Sequence, residues 1–341
     1  MENVTIIIPM YNAEKSIEKC VMSVATQVDI NDEIIIINDG STDNSLEICN
    51  RLKKQYSCIK IINQENKGVG SARNSGIVNA KCDWICFLDS DDFADGNMIK
   101  NIKKYLNEKY DIVMFEHINE DRKNKITANN EQFAYDKSTC GKLVEACFIA
   151  DNQISAQIDM RSVWANVYRK EFLISNNIFF NTKIEIGEDM LFLLYNYLNL
   201  SNAMIVKVPI YHYYFQNEGS LTNKYKPELF SNIMELNKEI LSILPSEKKY
   251  LEWYSFYRLN DIILLMKYTL FHSHNREKLS DKKKQAKNIV QNGKYKEYYL
   301  QAKRSKILKK YSLSKRATFW LAVYEHIYLL YIIYRIRYMK K

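Results

Sequence analysis

Short apolar runs rich in β-branched residues alternate with longer amphipathic stretches over the first 116 residues of the chain. The apolar runs read VTIIIP, EIIIIN, CIKII, DWICFLD and YDIVMF. Strands that are apolar at every position are buried on both faces, which is typical of a parallel sheet covered by helices. The pattern therefore predicts an α/β fold with a mostly parallel sheet, and helices over residues 13–26, 42–56, 69–79 and 95–108.

The pattern changes twice farther along the chain. Residues 117–160 are polar and poorly patterned, which indicates an insertion or a loop, and residues 161–225 predict a helix over EDMLFLLYNYL and a short strand pair near AMIVKVPIYHYY. Beyond residue 226 the chain has long helical stretches with almost no Gly or Pro. We therefore expect a domain boundary near residue 225, with a domain of residues 1–225 and a helical domain of residues 226–341.

Composition is that of a compact globular protein, because 47% of the 341 residues are hydrophobic and only 9 are Gly and 4 are Pro. The seven cysteines form no C-x-x-C pair, so we expect reduced core cysteines and neither a disulfide framework nor a structural zinc site. The first residues, MENVTIIIPMYN, lack the basic start and long apolar core of a signal peptide. We expect the protein in the cytoplasm.

Charge is divided unevenly between the two expected domains. Residues 1–225 contain 24 Lys or Arg against 30 Asp or Glu, whereas residues 226–341 contain 25 against 10. An acidic N-terminal domain needs a cation to handle a phosphate substrate, and a basic C-terminal domain favours an anionic surface.

Polar clusters follow each of the first four predicted strands. They read PMYN, NDGSTD, NQENKG and DSDD. Ligands of open parallel sheets bind in the crevice beyond the carboxyl ends of the strands. We therefore expect these clusters to line a binding crevice, in which Asp39 accepts a hydrogen bond from a nucleotide base, while Ser41 or Thr42 caps the helix that follows.

The DSDD cluster places Asp89, Asp91 and Asp92 directly after a buried strand. Carboxylates so near to one another repel unless a cation or hydrogen-bond donors offset their negative charge. Hard oxygen ligands at a strand end favour Mg²⁺ or Mn²⁺, and such ions keep positions open for substrate phosphates. We expect a metal site here, with Asp92 serving instead as a cap for the next helix.

Two further motifs suggest groups for handling a phosphorylated substrate. NKGVGSARNSG, residues 66–76, lacks the third glycine of a dinucleotide fingerprint, and its helix start with Lys67 and Arg73 suits a diphosphate better. IGEDMLF places Glu188 and Asp189 at the start of a helix. Acids are common there because they complement the helix dipole, but a carboxylate at the crevice also suits a general base.

Six motifs in this order resemble those of the family 2 glycosyltransferases with the GT-A fold. They read TIIIPMYNAEKSI, IINDGSTDNS, NKGVGSARNSGI, FLDSDDF, VWANVYRKEFL and IGEDMLF, and they cover about residues 3–225. The resemblance implies a Rossmann-like GT-A catalytic domain of residues 1–225. Its nucleotide-sugar half would be about residues 1–116 and its acceptor half about residues 117–225.

The resemblance also implies roles for residues that would bind the donor nucleotide. Those expected to hold the base, usually uracil, are Pro9, Tyr11, Asn12 and Asp39. Lys67 and Arg73 would lie near the ribose or the diphosphate.

The remaining implied roles concern the metal and the acceptor. Asp89 and Asp91 would form the D-x-D pair, with Asp91 on Mn²⁺ or Mg²⁺ and Asp89 nearer the ribose. Asp189 would be the catalytic base, with Glu188 beside it at the substrate, and Trp164 would line the acceptor side.

Two positions depart from the pattern of the family. Arginines often precede the Gly-Ser or Asn-Ser pair of members of this type, but the segment YHYYFQNEGSLT has Phe215 and Asn217 there. Closure over the diphosphate would then depend on other residues, namely His212, Gln216 or Ser220. Asn166 stands where a lysine is frequent, which puts an acceptor contact at that position in doubt.

The last 41 residues are strongly basic and aromatic. Residues 301–341 contain eleven Lys or Arg and one acid, Glu325. The 18-residue stretch ATFWLAVYEHIYLLYIIY is short for a spanning helix and has Glu325 and His326 at its middle. We expect it to lie on an anionic membrane surface; an ordinary packed helix or a contact between copies in a homo-oligomer is an equal alternative.

Together these features predict an inverting, metal-dependent glycosyltransferase. It would move a sugar from a nucleoside diphosphate donor, UDP by family resemblance, to a glycan or lipid-linked glycan in capsule, exopolysaccharide or lipopolysaccharide synthesis. It would act in the cytoplasm or on the inner face of the membrane, and no nucleic-acid partner is expected. The alternatives are a nucleotide-sugar-binding protein without turnover and a nucleic-acid-binding protein that uses the basic tail.

Overall fold

A computed structural model of the chain describes residues 2–120, 130–149, 154, 158–213 and 225–338. The chain separates into two compact units. One consists of residues 1–147 and 152–218, and the other of residues 148–151 and 219–341.

The first unit is built on a nine-stranded sheet within the described residues, in the order β3-β2-β1-β4-β8-β6-β9-β5, with β7 also paired to β9. Strands β3, β2, β1 and β4 are mutually parallel, and β6 is parallel to β9. The predicted α/β fold with a mostly parallel sheet is confirmed. The strands are β1 Val4–Met10, β2 Glu33–Asp39, β3 Ile59–Gln64, β4 Trp84–Phe87, β5 Phe93–Ala94, β6 Ile112–Asn119, β7 Gln132–Asp136, β8 Asn166–Arg169 and β9 Asn202–Tyr213.

Seven helices accompany these strands in the described part of the unit. Three of the four predicted for the N-terminal region start or end a few residues inside the predicted bounds, and the helix over residues 69–79 matches them. The helices are α1 Ile17–Ala25, α2 Ser45–Gln55, α3 Val69–Asn79, α4 Met98–Tyr105, α5 Gly141–Phe148, α6 Lys170–Ser175 and α7 Glu188–Asn199.

Strand β1 is buried along its whole length, as its unbroken apolar run predicts. Successive side chains of a strand point to opposite faces of the sheet. Ile6 and Ile8 belong to the core cluster that includes α1, whereas Ile7 meets α3 on the other face. Burying each such side chain contributes on the order of 1.5–3 kcal/mol, so the central strands anchor the unit from both faces.

The structure corrects two local predictions. Residues 117–160 are not only loop, because β7 and α5 form within them. The predicted strand pair near residue 208 is one strand, β9, whose pairing with β6 shifts register where Glu116 faces Pro209. Proline has no N–H to donate to the ladder, which accounts for the irregularity without ending the strand.

The second unit is helical in its described residues, as expected for the chain beyond residue 226. Its buried interior includes the ion pair of Arg258 with Asp261, to which Tyr295 donates a hydrogen bond at 3.4 Å. The helices are α8 Leu229–Ile243, α9 Lys248–Leu265, a π-helical turn Met266–Leu270, α10 Leu279–Asn292, α11 Tyr295–Arg304, a 3₁₀ turn Ile307–Lys310, α12 Leu313–Val323 and α13 Ile327–Tyr338.

The aromatic stretch near the C-terminus is divided between α12 and α13. The break falls at residues 324–326, where Glu325 has a positive φ of 64°. A residue in this left-handed conformation cannot continue a right-handed helix. In the described parts of the chain, no helix is long and apolar enough to span a bilayer.

Close packing of α3 on β1 depends on Gly76. A Cβ at this position would lie 2.3 Å from Cγ2 and 2.9 Å from Cδ1 of Ile7, a side chain fixed in the core. Although Ala favours a helix over Gly by about 1 kcal/mol, the clash is larger. We expect Gly76→Ala to lower the free energy of unfolding by about 1–3 kcal/mol, measured by urea denaturation.

Gly96→Ala is the matched control for this substitution, because a Cβ there would meet no atom within 4 Å. It should leave the urea midpoint nearly unchanged. Equal midpoints for the two variants would contradict the close packing of α3 on β1.

Candidate active site

The loops after β1 and β2 are fastened to each other at the carboxyl edge of the sheet. Asn12, with a φ of 48°, donates its backbone N–H to Ser41 Oγ at 3.1 Å, and its Oδ1 accepts the backbone N–H of Thr42 at 2.8 Å. Asn tolerates this left-handed conformation better than most residues. The prediction that Ser41 or Thr42 caps α2 is wrong, because that helix begins only at Ser45, and both residues bind Asn12 instead.

Two other predicted base-binding residues differ in their exposure. Pro9 is buried within β1, opposite Ile37 of β2. Tyr11 follows the strand and is 51% exposed. Tyr11 therefore offers an accessible ring at this edge of the sheet, whereas Pro9 shapes the strand beneath it.

Asp39 fixes the start of α3 from the end of β2. Its Oδ1 accepts hydrogen bonds from Gln64 Nε2 at 2.7 Å and from the backbone N–H of Lys67 at 2.9 Å. Its Oδ2 accepts the backbone N–H of Gly68 at 2.9 Å. The carboxylate thus aligns the third strand-end loop with the second, while the side chain of Lys67 remains mostly exposed.

Arg73, on α3, binds three carboxylates from distant parts of the sequence. Its Nη2 lies 2.9 Å from Asp89 Oδ1, and its Nη1 lies 2.6 Å from Asp189 Oδ1 and 3.8 Å from Glu188 Oε1. The arginine is only 3% exposed, and its guanidinium also lies 5.2 Å from the centroid of the Phe180 ring. One buried positive charge therefore faces three negative ones.

Negative charge remains in excess in this cluster and affects its proton affinity. Burial raises the pKa of Asp189, and Glu188 and Asp89 raise it further, while Arg73 opposes the rise. Burial likewise raises the pKa of Glu188, again against Arg73. Because burial disfavours the charged form and a single guanidinium does not neutralise three carboxylates, Asp189 and Glu188 hold a proton more tightly than an ordinary carboxyl group does.

The three aspartates after β4 occupy different surroundings. The backbone N–H of Asp89 donates to Tyr211 Oη at 3.2 Å, and the Tyr211 hydroxyl donates to Asp92 Oδ2 at 2.7 Å. Asp92 is buried, whereas Asp91 is exposed. The prediction that Asp92 caps the next helix is wrong, because α4 begins at Met98 and Asp92 instead accepts from a tyrosine across the sheet.

The field of these aspartates reaches three neighbouring groups. Burial chiefly raises the pKa of Cys20, Tyr211 and Tyr213, and the carboxylates of the DSDD cluster raise each further. This is the electrostatic environment that a divalent cation would relieve. No group of three or more metal-ligating His, Cys, Asp or Glu side chains occurs among the described residues. Magnesium sites commonly need only one or two carboxylates plus water and substrate phosphates, so the residues fit such an ion.

Trp164 packs against β9 beside the aspartates. Its ring stacks on Tyr211 and Tyr213, with centroid distances of 4.8 and 5.3 Å, and meets His117 edge-on. Asn166, at the position where the family often has lysine, is buried and donates to the carbonyl of Ser162 at 2.9 Å. Its amide is thus committed to the fold and does not replace a lysine in contact with an acceptor.

Tyr211 was not singled out from the sequence, although it supports both Asp89 and Asp92. The alternation in PIYHYY places Tyr211 and Tyr213 on the same face of a strand, and this signal could have identified them. Between them, His212 stacks on Phe93 at 4.4 Å, and its Nδ1 lies 2.6 Å from Glu120 Oε1. The other residues named for closure over the diphosphate, Gln216 and Ser220, lie outside the described residues. So do Phe215 and Asn217, which stand where the family often has arginines.

The fold matches solved glycosyltransferases over nearly the whole chain. The structure of Staphylococcus aureus TarS residues 1–349 in complex with UDP-GlcNAc has a TM-score of 0.68 and 17% identity, covering 98% of this chain and 92% of that one. The mannosyltransferase PcManGT of Pyrobaculum calidifontis, in complex with GDP-Man and Mn²⁺, has a TM-score of 0.54 and 13% identity, covering 99% and 88%. The architecture is therefore that of a GT-A glycosyltransferase.

This chain belongs to glycosyltransferase family 2. The model described as Glycosyl transferase family 2 matches residues 5–176. Among curated proteins, the uncharacterized glycosyltransferase EpsJ of Bacillus subtilis is 31% identical over 239 residues, which are 68% of this chain and 67% of EpsJ. The poly(ribitol-phosphate) beta-N-acetylglucosaminyltransferase TarS of S. aureus is 24% identical over 241 residues, 69% of this chain and 40% of TarS.

Removal of the guanidinium should destabilise the fold in a pH-dependent way. In Arg73→Met, three largely buried carboxylates would lose the cation that, among the described residues, pairs with them. Loss of one partner of a buried ion pair typically lowers the free energy of unfolding by about 3–5 kcal/mol. Without that cation the native pKa values rise, so protonation at lower pH would relieve the repulsion. We expect the loss of unfolding free energy in urea titrations to be larger at pH 8 than at pH 5.

Arg51→Met is the control, because Arg51 pairs with Glu18 at 2.7 Å where both side chains are about half exposed. Surface pairs contribute about 0–1 kcal/mol. If both variants lost a similar amount of unfolding free energy at pH 5 and pH 8, Arg73 would not stabilise the three carboxylates through its charge.

Proposed function

We propose that this glycosyltransferase moves a sugar from a UDP-linked donor to a hydroxyl of a glycan or lipid-linked glycan, with a divalent metal ion and with inversion at the anomeric carbon. The observation that carries the proposal is the shared guanidinium of Arg73. It holds Asp89, from the D-x-D pair, and Asp189, the proposed base, at 2.9 and 2.6 Å. The groups assigned to the donor and to the acceptor hydroxyl thus meet at one point of the crevice.

Donor binding is assigned to the strand-end loops. We assign Tyr11, Pro9, Asn12 and Asp39 to the base pocket, with Lys67 and Arg73 near the ribose or diphosphate. Asp39 accepts three hydrogen bonds, and a carboxylate has about four acceptor sites, so one remains for a base N–H. The TarS structure with UDP-GlcNAc supports a uridine nucleotide, since it has the same fold.

Asp91, with Asp89 beside it, would hold Mn²⁺ or Mg²⁺. The ion would supply positive charge that neutralises the diphosphate as it leaves. Exposure of Asp91 and the excess negative charge around it support this assignment. The fold match to PcManGT, which was solved with Mn²⁺, adds general support.

Asp189 is proposed to act as the general base. Its carboxylate would take the proton of the acceptor hydroxyl as that oxygen attacks the anomeric carbon. The bond from this carbon to the diphosphate breaks in the same step, so UDP leaves on the opposite face and the configuration inverts. Arg73 would orient the base without touching the reacting atoms, while Glu188 and Trp164 would line the acceptor side.

The wider role that we propose is assembly of a surface polysaccharide, in the class of capsule, exopolysaccharide or lipopolysaccharide. TarS is named for the transfer of N-acetylglucosamine to poly(ribitol-phosphate), which is a polymer, and this supports a polymeric acceptor. We place the catalytic domain at about residues 1–225 and the basic helical domain at residues 226–341. We further propose that the reaction takes place in the cytoplasm.

Substitution of the proposed base tests the reaction. Asp189→Asn should lower sugar transfer by at least about 100-fold, because general bases contribute on the order of 10²–10⁴-fold. UDP binding, measured by calorimetry, should be retained. The control Glu185→Gln, an exposed acid just before the same helix, should leave the rate unchanged. Undiminished transfer by folded Asp189→Asn would exclude Asp189 as the base.

The pH dependence of transfer should follow the same carboxyl group. Burial, with Glu188 and Asp89, raises the pKa of Asp189 to about 7. A base works only when deprotonated, so the transfer rate should fall as pH decreases through about 7. A rate–pH profile that stays flat down to pH 5 would contradict this assignment.

The metal site is tested by calorimetric titration of UDP with and without Mn²⁺. We expect Mn²⁺ to strengthen binding by about tenfold or more, and Asp91→Asn to remove this gain. Asp83→Asn, at the opposite end of β4, is the matched control and should retain it. Binding that is insensitive to both Mn²⁺ and Asp91→Asn would show that the chain uses no metal at this site.

A further inference from the structure

The outward face of α13 is apolar. Its large exposed residues recur at helical spacing on one side, and they are 48–61% exposed. On the opposite side, Ile327 and Leu330 are buried. A surface helix normally presents polar side chains to water, so this side has the composition of a covered face. The exposed residues are Tyr328, Leu329, Ile332 and Ile336, which we call the α13 face.

Helix α12, which packs on α13, also ends in exposed aromatic residues. Trp320 and Tyr324 are 45% and 39% exposed, and their ring centroids lie 5.6 Å apart. Scattered exposed apolar residues are normal on any protein. A set concentrated on two consecutive helices is different, because it forms a patch that favours an apolar partner.

Basic side chains accompany the tyrosines of this patch. Lys283 Nζ lies 5.2 Å from the ring centroid of Tyr328, and Lys296 Nζ lies 5.4 Å from that of Tyr324. The exposed Arg335 is similarly placed, 5.7 Å from the ring of Tyr331. Two of these cations, Lys283 and Lys296, come from α10 and α11 and lie outside residues 301–341. The folded unit therefore places basic residues from a wider part of the sequence beside the patch.

We propose that the α13 face and its accompanying cations bind the surface of a bilayer that contains anionic lipids. Aliphatic side chains beside tyrosines, ringed by Lys and Arg, are typical of helices that lie in the membrane interface. Helix α13 has 12 residues, or about 18 Å at 1.5 Å per residue, against a hydrocarbon core of about 30 Å. The helix therefore lies along the surface and does not cross it.

Charge favours this partner over the two alternatives. A second copy of the chain would bring the same cations against each other, and like charges opposed across an interface are unfavourable. A nucleic acid would satisfy the cations but leave Leu329, Ile332 and Ile336 without an apolar partner. The proposal does not depend on the transfer reaction, because all of these residues lie in the helical unit.

Co-sedimentation of the full-length protein with lipid vesicles tests this proposal. We expect binding to vesicles of phosphatidylcholine with phosphatidylglycerol, and at least about tenfold weaker binding to phosphatidylcholine alone. Ile332→Glu/Ile336→Glu should reduce binding to the anionic vesicles by about tenfold or more. Lys283→Gln/Arg335→Gln should reduce it several-fold and lower its salt sensitivity.

Leu241→Glu is the matched control, since Leu241 is an exposed apolar residue on α8 of the same unit and should leave binding unchanged. Thermal unfolding would verify that each variant is folded. Failure of the intact protein to sediment with anionic vesicles would overturn the proposal, as would equal binding to both lipid mixtures. If light scattering shows that Ile332→Glu/Ile336→Glu converts a dimer to a monomer while no vesicle binding occurs, the face joins two copies and the membrane proposal is wrong.

Discussion

The ionic contacts of Arg73 organise the candidate active site. Its guanidinium joins carboxylates from the loop after β4 and from α7, and it is buried where solvent screens these charges poorly. A single cation stabilises the three acids enough for the fold to contain them, but it leaves negative charge in excess. Burial, together with that excess, raises the pKa of Asp189, and the excess suits the neighbouring aspartates to a metal ion. Structural stability and chemical reactivity therefore depend on the same contacts.

The parallel strands bring the site together, and short polar contacts then fix its loops. Because β1, β2, β3 and β4 run in the same direction, the segments after them meet at one edge of the sheet. Asn12 links the first two loops, and Asp39 links the second to the third. Hydrogen bonds of the buried Asp39 carboxylate are stronger than those in water, and together with the exposed contacts of Asn12 they restrain the loops before any ligand binds. This preorganisation suits recognition of a nucleotide at the edge of the sheet.

The helical unit meets a different constraint. Its interior contains the buried pair of Arg258 and Asp261, while much of its outer surface at α13 is apolar. Such a distribution is unusual for a surface helix in water. A Lys or Arg side chain also lies near each of three tyrosines, which favours a partner of negative charge. Stability of the unit and the properties of its surface thus follow from separate sets of side chains.

How far the sequence could be interpreted depended on the range over which each interaction acts. Unbroken apolar runs identified β1, β2 and β4, and helical spacing identified α1, because both depend on neighbours a few residues apart. Cap assignments failed at Thr42 and Asp92, since their side chains bind partners 30 and 119 residues away. The predicted strand pair is the single strand β9, because Pro209 falls at a shift of register with β6 and does not end the strand.

The sequence by itself determined the class of fold, the family and the identity of the carboxylates at the strand ends. Motif order and residue type are sufficient for these, since they are written in consecutive residues. Only the tertiary structure decided that Arg73 contacts both Asp89 and Asp189, that Tyr211 supports two of the aspartates, and that α13 presents an apolar face beside cations of α10 and α11. Arg73 and Asp189 are 116 residues apart, and such contacts are set by packing of the whole unit and not by local periodicity.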